Sequence, residues 1–228
     1  MPKKPKPPRG PQLELAGDLG VAFVNTFSAR DWNFQLGFET YAELVTWGQR
    51  AGVLDAGAAE RLRQLAAERP ADADATVARA VELRKNLFRV FVSIARKEDP
   101  QPAHLDVLNA ALTTSLPALR VVPGESGLTW GWGGGEDALD RMLWAPAHAA
   151  AELLISLDDK TYLRQCARKG CTLFFVSHLS RRRWCGAVCR NRTKSLAYYF
   201  RHERARREQG FRDGGLWRHK RPRERKFS

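Results

Sequence analysis

Cysteine is scarce in this chain: among 228 residues there are four, all confined to residues 166–189. No apolar run approaches the roughly 18 residues that a membrane helix needs, so a membrane partner is not expected. The opening Met1-Pro-Lys-Lys-Pro-Lys-Pro-Pro-Arg9 is positive like the start of a secretion signal, but no apolar stretch stands behind it. Secretion is therefore not expected, and the chain reads as cytoplasmic. In a reducing compartment, clustered cysteines more often bind metal than pair as disulfides. Catalytic signatures are also missing: there is no Gly-x-Ser-x-Gly, no His-Glu-x-x-His and no Rossmann glycine pattern. Gly133-Gly134-Gly135 lacks the following Gly-Lys-Ser/Thr of a phosphate cradle, and no internal repeat is visible. The acidic residues of the first half fall mostly on expected exposed helix faces, where solvation accounts for them. An enzyme is not expected.

Acidic residues are nearly lacking from one end. From Lys160 to Ser228 there are 21 Lys/Arg against 4 Asp/Glu, a balance of +17, whereas residues 1–159 hold 17 against 21, a balance of −4. Asymmetry of this kind points to a polyanion partner for one part of the chain only. A merely solvated basic face is the bland alternative, but self-repulsion on this scale opposes compaction.

What is present reads as one helical domain followed by a small module. Residues 1–12 look like a disordered basic Pro/Lys tail. Leu19–Phe27 is apolar, and periodicity alone does not choose between a buried strand and the start of a helix. Helices follow over Glu39–Arg50, over Asp55–Arg69 with Asp55 as N-cap, over Asp74–Lys97 and over Pro102–Leu112. In Asp74–Lys97, the residues Val77, Val81, Leu87, Phe91 and Ile94 recur on one face. Ala118–Val122 and Leu128–Trp132 flank a turn sequence and predict a hairpin, with Leu128, Trp130 and Trp132 sharing a face and packing into the core. Glu136–Leu157 reads as a final helix, interrupted or kinked near Pro146. The charge switch at Asp158-Asp159 marks the expected boundary between a domain over residues 13–159 and a module over 160–209, and residues 11–159 are expected to fold alone. A basic tail, 210–228, follows.

The cysteines run Cys166-x4-Cys171-x13-Cys185-x3-Cys189. Two close pairs joined by a short loop suit a tetrahedral metal, since each pair supplies two thiolates from one local turn. Gly170 tolerates the left-handed backbone that aims the first pair inward. Cys185 and Cys189 are four apart and would face the same way on a helix. Thiolates suit Zn²⁺ or an iron–sulfur cluster; basic flanks and the absence of redox motifs favour zinc. Four protein ligands make such a metal structural. His178 or His202 is the alternative ligand in place of one thiolate.

A helix expected from near Trp184 to about Arg207 carries Arg190, Lys194, Arg201 and Arg204 as a stripe, with Asn191 and Arg192 at its edge. Leu196, Tyr199 and Phe200 form its packing side. With Arg181, Arg182 and Arg183 just upstream, these are the candidate nucleic-acid-binding residues. Arginine suits bidentate contacts to guanine or phosphate.

Two motifs together resemble known families. Cys166-x4-Cys171-x-Leu173-Phe174, then Arg182-Arg183-Trp184-Cys185-x3-Cys189-x-Asn191-Arg192-x-Lys194, is similar to the CGNR zinc finger. Phe23-Val24-Asn25-Thr26 resembles the signature of the ABATE domain that precedes this finger in bacterial proteins. The resemblance implies a bacterial, stress-induced transcription regulator. Three positions depart from it: Arg190 stands for the glycine of Cys-Gly-Asn-Arg, Val176 for an acidic residue, and Ala22 for an aspartate. The expected architecture is α+β: a mostly helical N-terminal domain with a β-hairpin, then a small treble-clef-like zinc module with four cysteine ligands. The expected function is zinc-dependent, nucleoid-associated regulation of transcription through double-stranded DNA, with the N-terminal domain sensing or forming a homodimer. RNA or ribosome binding, a protein-interaction finger and a zinc hydrolase are the rivals.

Overall fold

The structure is a computed structural model that describes residues 18–26, 38–124 and 127–212, except for the side chains of residue 205 and of 207–212. The expected tail over 1–12 lies outside the described residues, as does that over 210–228 apart from its first three residues, which continue α7. Seven helices and four strands are described: α1 Leu19–Asn25, α2 Tyr41–Arg50, α3 Ala56–Glu68, α4 Pro70–Arg96, α5 Pro102–Ser115, β1 Leu119–Gly124, β2 Gly127–Trp132, α6 Arg141–Ser156, β3 Tyr162–Gln165, β4 Phe174–Ser177 and α7 Ala187–Arg212. The architecture is α+β, helical in its first part with a hairpin, as the sequence implies.

Local chemistry explains the helix starts. Asp18 caps α1 by accepting from the Val21 N–H at 2.9 Å, and Asp55 caps α3 from the Ala58 N–H at 2.8 Å. Thr40 and Glu43 form a reciprocal capping box at the head of α2, satisfying two backbone donors at once. Pro70 opens α4 at a position where a missing N–H costs nothing, so this helix starts four residues before the expected Asp74. Pro146 lies inside α6 without ending it.

The run that sequence alone left undecided is a helix. Residues 20–25 are all buried, so α1 is enclosed on every side and shows no amphipathic period. Gly20 permits this enclosure: a Cβ there would sit 2.6 Å from the Ala150 Cα of α6. The surrounding core takes Phe23, Leu44, Leu62, Leu87, Phe91 and Met142, each fully buried.

The expected core packing of the β1–β2 face is only partly realised. Trp132 packs against Trp144 and His148, with ring centroids 5.8 and 5.9 Å away. Leu128 and Trp130 are 79% and 57% exposed, and Trp130 meets α6, edge-on to the His148 ring at 6.2 Å.

Packing continues across the charge switch. The described residues up to Cys185 form one compact unit and those from Gly186 onward a second. Leu163 of β3 and Phe174 of β4 belong to the same apolar cluster as the helices. Phe174 meets Phe88 and Phe91 of α4 edge-on, at 5.3 and 5.5 Å between ring centroids. Asn25, the last residue of α1, donates from Nδ2 to the Phe174 carbonyl at 2.9 Å and accepts from the Phe174 N–H at 2.8 Å. Arg84 of α4 braces the same corner, donating to Thr26 Oγ1 at 3.2 Å and lying 4.3 Å over the Phe38 ring.

Candidate metal centre and basic helix

Strands β3 and β4 pair antiparallel, with Gln165 opposite Phe174 as the last ladder position. The chain beyond it makes a tight loop. The Cys166 N–H donates to the Leu173 carbonyl at 2.9 Å, and the Cys171 N–H to the Arg168 carbonyl at 3.0 Å. Gly170 adopts φ +77°, the left-handed conformation that lets the loop turn back. Cys166 and Cys171 therefore leave the end of a hairpin whose Leu163 and Phe174 are fixed in the core. The second pair arrives differently from the sequence expectation. α7 begins at Ala187, so Cys185 lies in the non-helical approach and Cys189 in the first turn. Helical spacing does not align these two thiols; the approach segment is held by the Ala167 N–H donating to the Arg183 carbonyl at 2.9 Å.

All four sulfurs lie within 4.8 Å of one another. Around one tetrahedral Zn²⁺ with Zn–S bonds of about 2.3 Å, sulfurs stand about 3.8 Å apart; the observed Cys171–Cys185 separation is 4.0 Å. No disulfide joins them. Cys166, Cys171 and Cys189 are buried and Cys185 is half-buried. The electrostatics fit a cation. The Cys171 and Cys185 thiols donate toward Cys166 and pull its pKa down to about 2, while the same contact pushes Cys171 up to about 11 and Cys185 higher. A divalent ion would take the place of the protons that such crowded thiols share. The four cysteines fit one structural Zn²⁺. Neither His178 nor His202 joins this group among the described residues.

Against known families, residues 17–156 match ABATE, "Putative stress-induced transcription regulator", and residues 162–202 match the CGNR zinc finger. This chain belongs to the ABATE family. No match was found among curated proteins. ABATE and the CGNR finger are regulator and zinc-finger families, and neither is an enzyme class. No described helix is long and apolar enough to cross a membrane.

The ABATE signature acquires a physical meaning here. Phe23, Val24, Asn25 and Thr26 are all buried; the two apolar residues fill the core while Asn25 and Thr26 bond to β4 and Arg84. Sequence reasoning missed Asn25 as a residue of the metal module's support, although an asparagine in an apolar run is a signal that a buried partner awaits it.

The basic residues separate into two kinds. Arg182 is engaged locally: its guanidinium donates to the Cys185 carbonyl at 2.7 Å and the Trp184 carbonyl at 3.2 Å, and lies 4.6 Å over the Phe175 ring. It braces the approach to Cys185. Arg183 holds this segment through its backbone carbonyl, with its guanidinium 5.9 Å from the Trp184 ring, and Arg181 is exposed. On α7, Arg190, Asn191, Arg192, Lys194, Arg201 and Arg204 are all exposed. At about 100° per residue, Arg190, Lys194 and Arg201 fall within an arc of about 40°, with Arg204 about 60° from its centre. The expected packing side of this helix is not packed: Leu196, Tyr199 and Phe200 are 55%, 60% and 64% exposed.

Proposed function

We propose that this protein is a zinc-dependent transcription regulator that binds double-stranded DNA in the cytoplasm, as part of the nucleoid, through α7. The observation that carries this reading is the solvent-facing stripe Arg190, Lys194 and Arg201 on a helix whose first turn holds a zinc ligand. Zinc fixes the start of the helix, and a preorganised row of cations then meets a phosphate backbone without ordering itself first. Arg204, Asn191 and Arg192 extend the surface, and Arg181 and Arg183 lie next to it in the chain. The family description supports regulation of transcription in response to stress. The N-terminal domain serves as the dimerising or sensing part; the exposed apolar hairpin residues Val121, Leu128 and Trp130 support dimerisation, and sedimentation at several concentrations tests it.

A specific observation favours a second reading, RNA or single-stranded nucleic acid. Tyr198, Tyr199 and Phe200 stand exposed among the cations of α7, and such aromatics stack on unpaired bases. Gel-shift titrations of duplex DNA, duplex RNA and single strands at fixed salt separate the two. Tighter binding to duplex DNA supports the first reading. A preference for single strands that disappears with Tyr199→Ala and Phe200→Ala establishes the second. If no nucleic acid binds, both fail.

A further inference from the structure

The edge of β4 is closed by a side chain where a third strand would otherwise pair. In an antiparallel ladder, a residue's N–H and C=O point to the same side of its strand, either toward the partner or away. Cys166 bonds to Leu173 within the ladder's continuation, so the N–H and C=O of Phe174, the next residue, point outward. Both of these groups are taken by the carboxamide of Asn25, at 2.8 and 2.9 Å, across 149 residues of sequence. Asn25 is 6% exposed and Phe174 is 1% exposed, so water does not compete for these bonds. The carboxamide fits this role because it presents one acceptor and one donor side by side, matching the backbone it replaces.

Phe174 stands three residues after Cys171 and ends the ladder from which Cys166 departs. Its backbone position therefore sets where the loop carrying both thiolates begins. Asn25 is in turn held by α1, which crosses α6 at the close Gly20–Ala150 approach, and its neighbour Thr26 accepts from Arg84 of α4. We infer that Asn25 is a positioning residue for the zinc centre, through which the helical domain and the metal are thermodynamically coupled. Zinc binding stabilises α1 in place, and any ligand or partner that displaces α1 weakens zinc. Reciprocity makes the two statements one. The N-terminal domain thereby has a physical route to the metal module, and the inference holds whichever nucleic acid α7 binds.

The test uses the full-length protein and measures zinc affinity by competition with a chromophoric chelator. Asn25→Ala leaves Phe174's outward groups unpaired, and groups that orient a metal's ligands typically contribute about 10–100-fold in affinity when lost. A loss in that range is expected. Leu62→Ala, in the fully buried core on α3, is the control for general destabilisation: its thermal midpoint should fall while its zinc affinity stays at the wild-type value. Equal zinc affinity in Asn25→Ala and wild type overturns the inference, as does an equal loss in Leu62→Ala. Should Asn25→Ala fail to fold, hydrogen exchange on the wild type decides. Adding zinc to the metal-free protein should slow exchange of the α1 amides more than those of α3, and unchanged α1 protection overturns the coupling.

Discussion

Ending the chain at Asp159 should abolish cooperative folding of the helical domain, even though the cut falls at the charge switch and leaves α1 to α6 intact. The reason is the share of the core that the finger's hairpin supplies. Phe174 is 1% and Leu163 5% exposed, and both belong to the main apolar cluster. Deleting a buried phenylalanine side chain costs about 3–5 kcal/mol and a buried leucine about 2–5 kcal/mol. The Asn25 carboxamide loses both of its partners, and an orphaned buried polar group costs about 1–3 kcal/mol when it cannot rehydrate. Relaxation of α1 and entry of water recover part of this, but the total is comparable with the roughly 5–15 kcal/mol that holds a whole domain folded. Urea titrations of residues 13–159 and of the full chain, followed by far-ultraviolet circular dichroism, give the comparison. The fragment should show a broad transition at low denaturant or none. Phe174→Ala in the full chain grades the effect: it removes the edge-on contacts to Phe88 and Phe91 and should cost about 3–5 kcal/mol. A fragment that unfolds sharply at the full-length midpoint would show that the hairpin is an appendage and the reasoning wrong.

Replacing Cys185 by Ser should eliminate stoichiometric zinc, read by elemental analysis, and lower the thermal midpoint of the entire protein, because structural zinc contributes on the order of 10–16 kcal/mol of apparent binding energy. Changing Arg190, Lys194, Arg201 and Arg204 together to Gln should reduce the slope of log K against log salt on duplex DNA by about three to four, at about 0.9 per phosphate contact, with zinc content unchanged. Arg182→Gln should behave oppositely, hastening zinc loss to a chelator while shifting that slope by less than about one, since its guanidinium is already committed to the Cys185 and Trp184 carbonyls. Gly20→Ala forces a methyl to within 2.6 Å of the Ala150 Cα and should cost about 1–3 kcal/mol as overpacking, visible as a lower urea midpoint.

Features written in local sequence were legible without coordinates. Asp55 announces a helix because its carboxylate can reach backbone donors only one turn away, and the four cysteines announce a metal because their spacing closes two short turns. Charge is also local: the basic stripe follows from the helical period alone. The remainder depended on contacts between distant residues. Leu19–Asn25 shows no period because its environment is apolar all round, so only its burial among α4, α6 and β4 identifies it as a helix. Cys185 precedes α7 rather than joining it, since the segment from Arg182 is pinned by Phe175 and by backbone bonds before a helix can start. The apolar residues of α7 and of the β2 tip look like core in sequence and stand in solvent, because hydrophobicity does not specify what will cover it. Asn25 and Phe174, 149 residues apart, show the division most sharply. The sequence determined that one is a polar residue in an apolar run and the other a strand aromatic; only the tertiary structure brought the carboxamide to the strand edge, where exclusion of water makes their pairing obligatory.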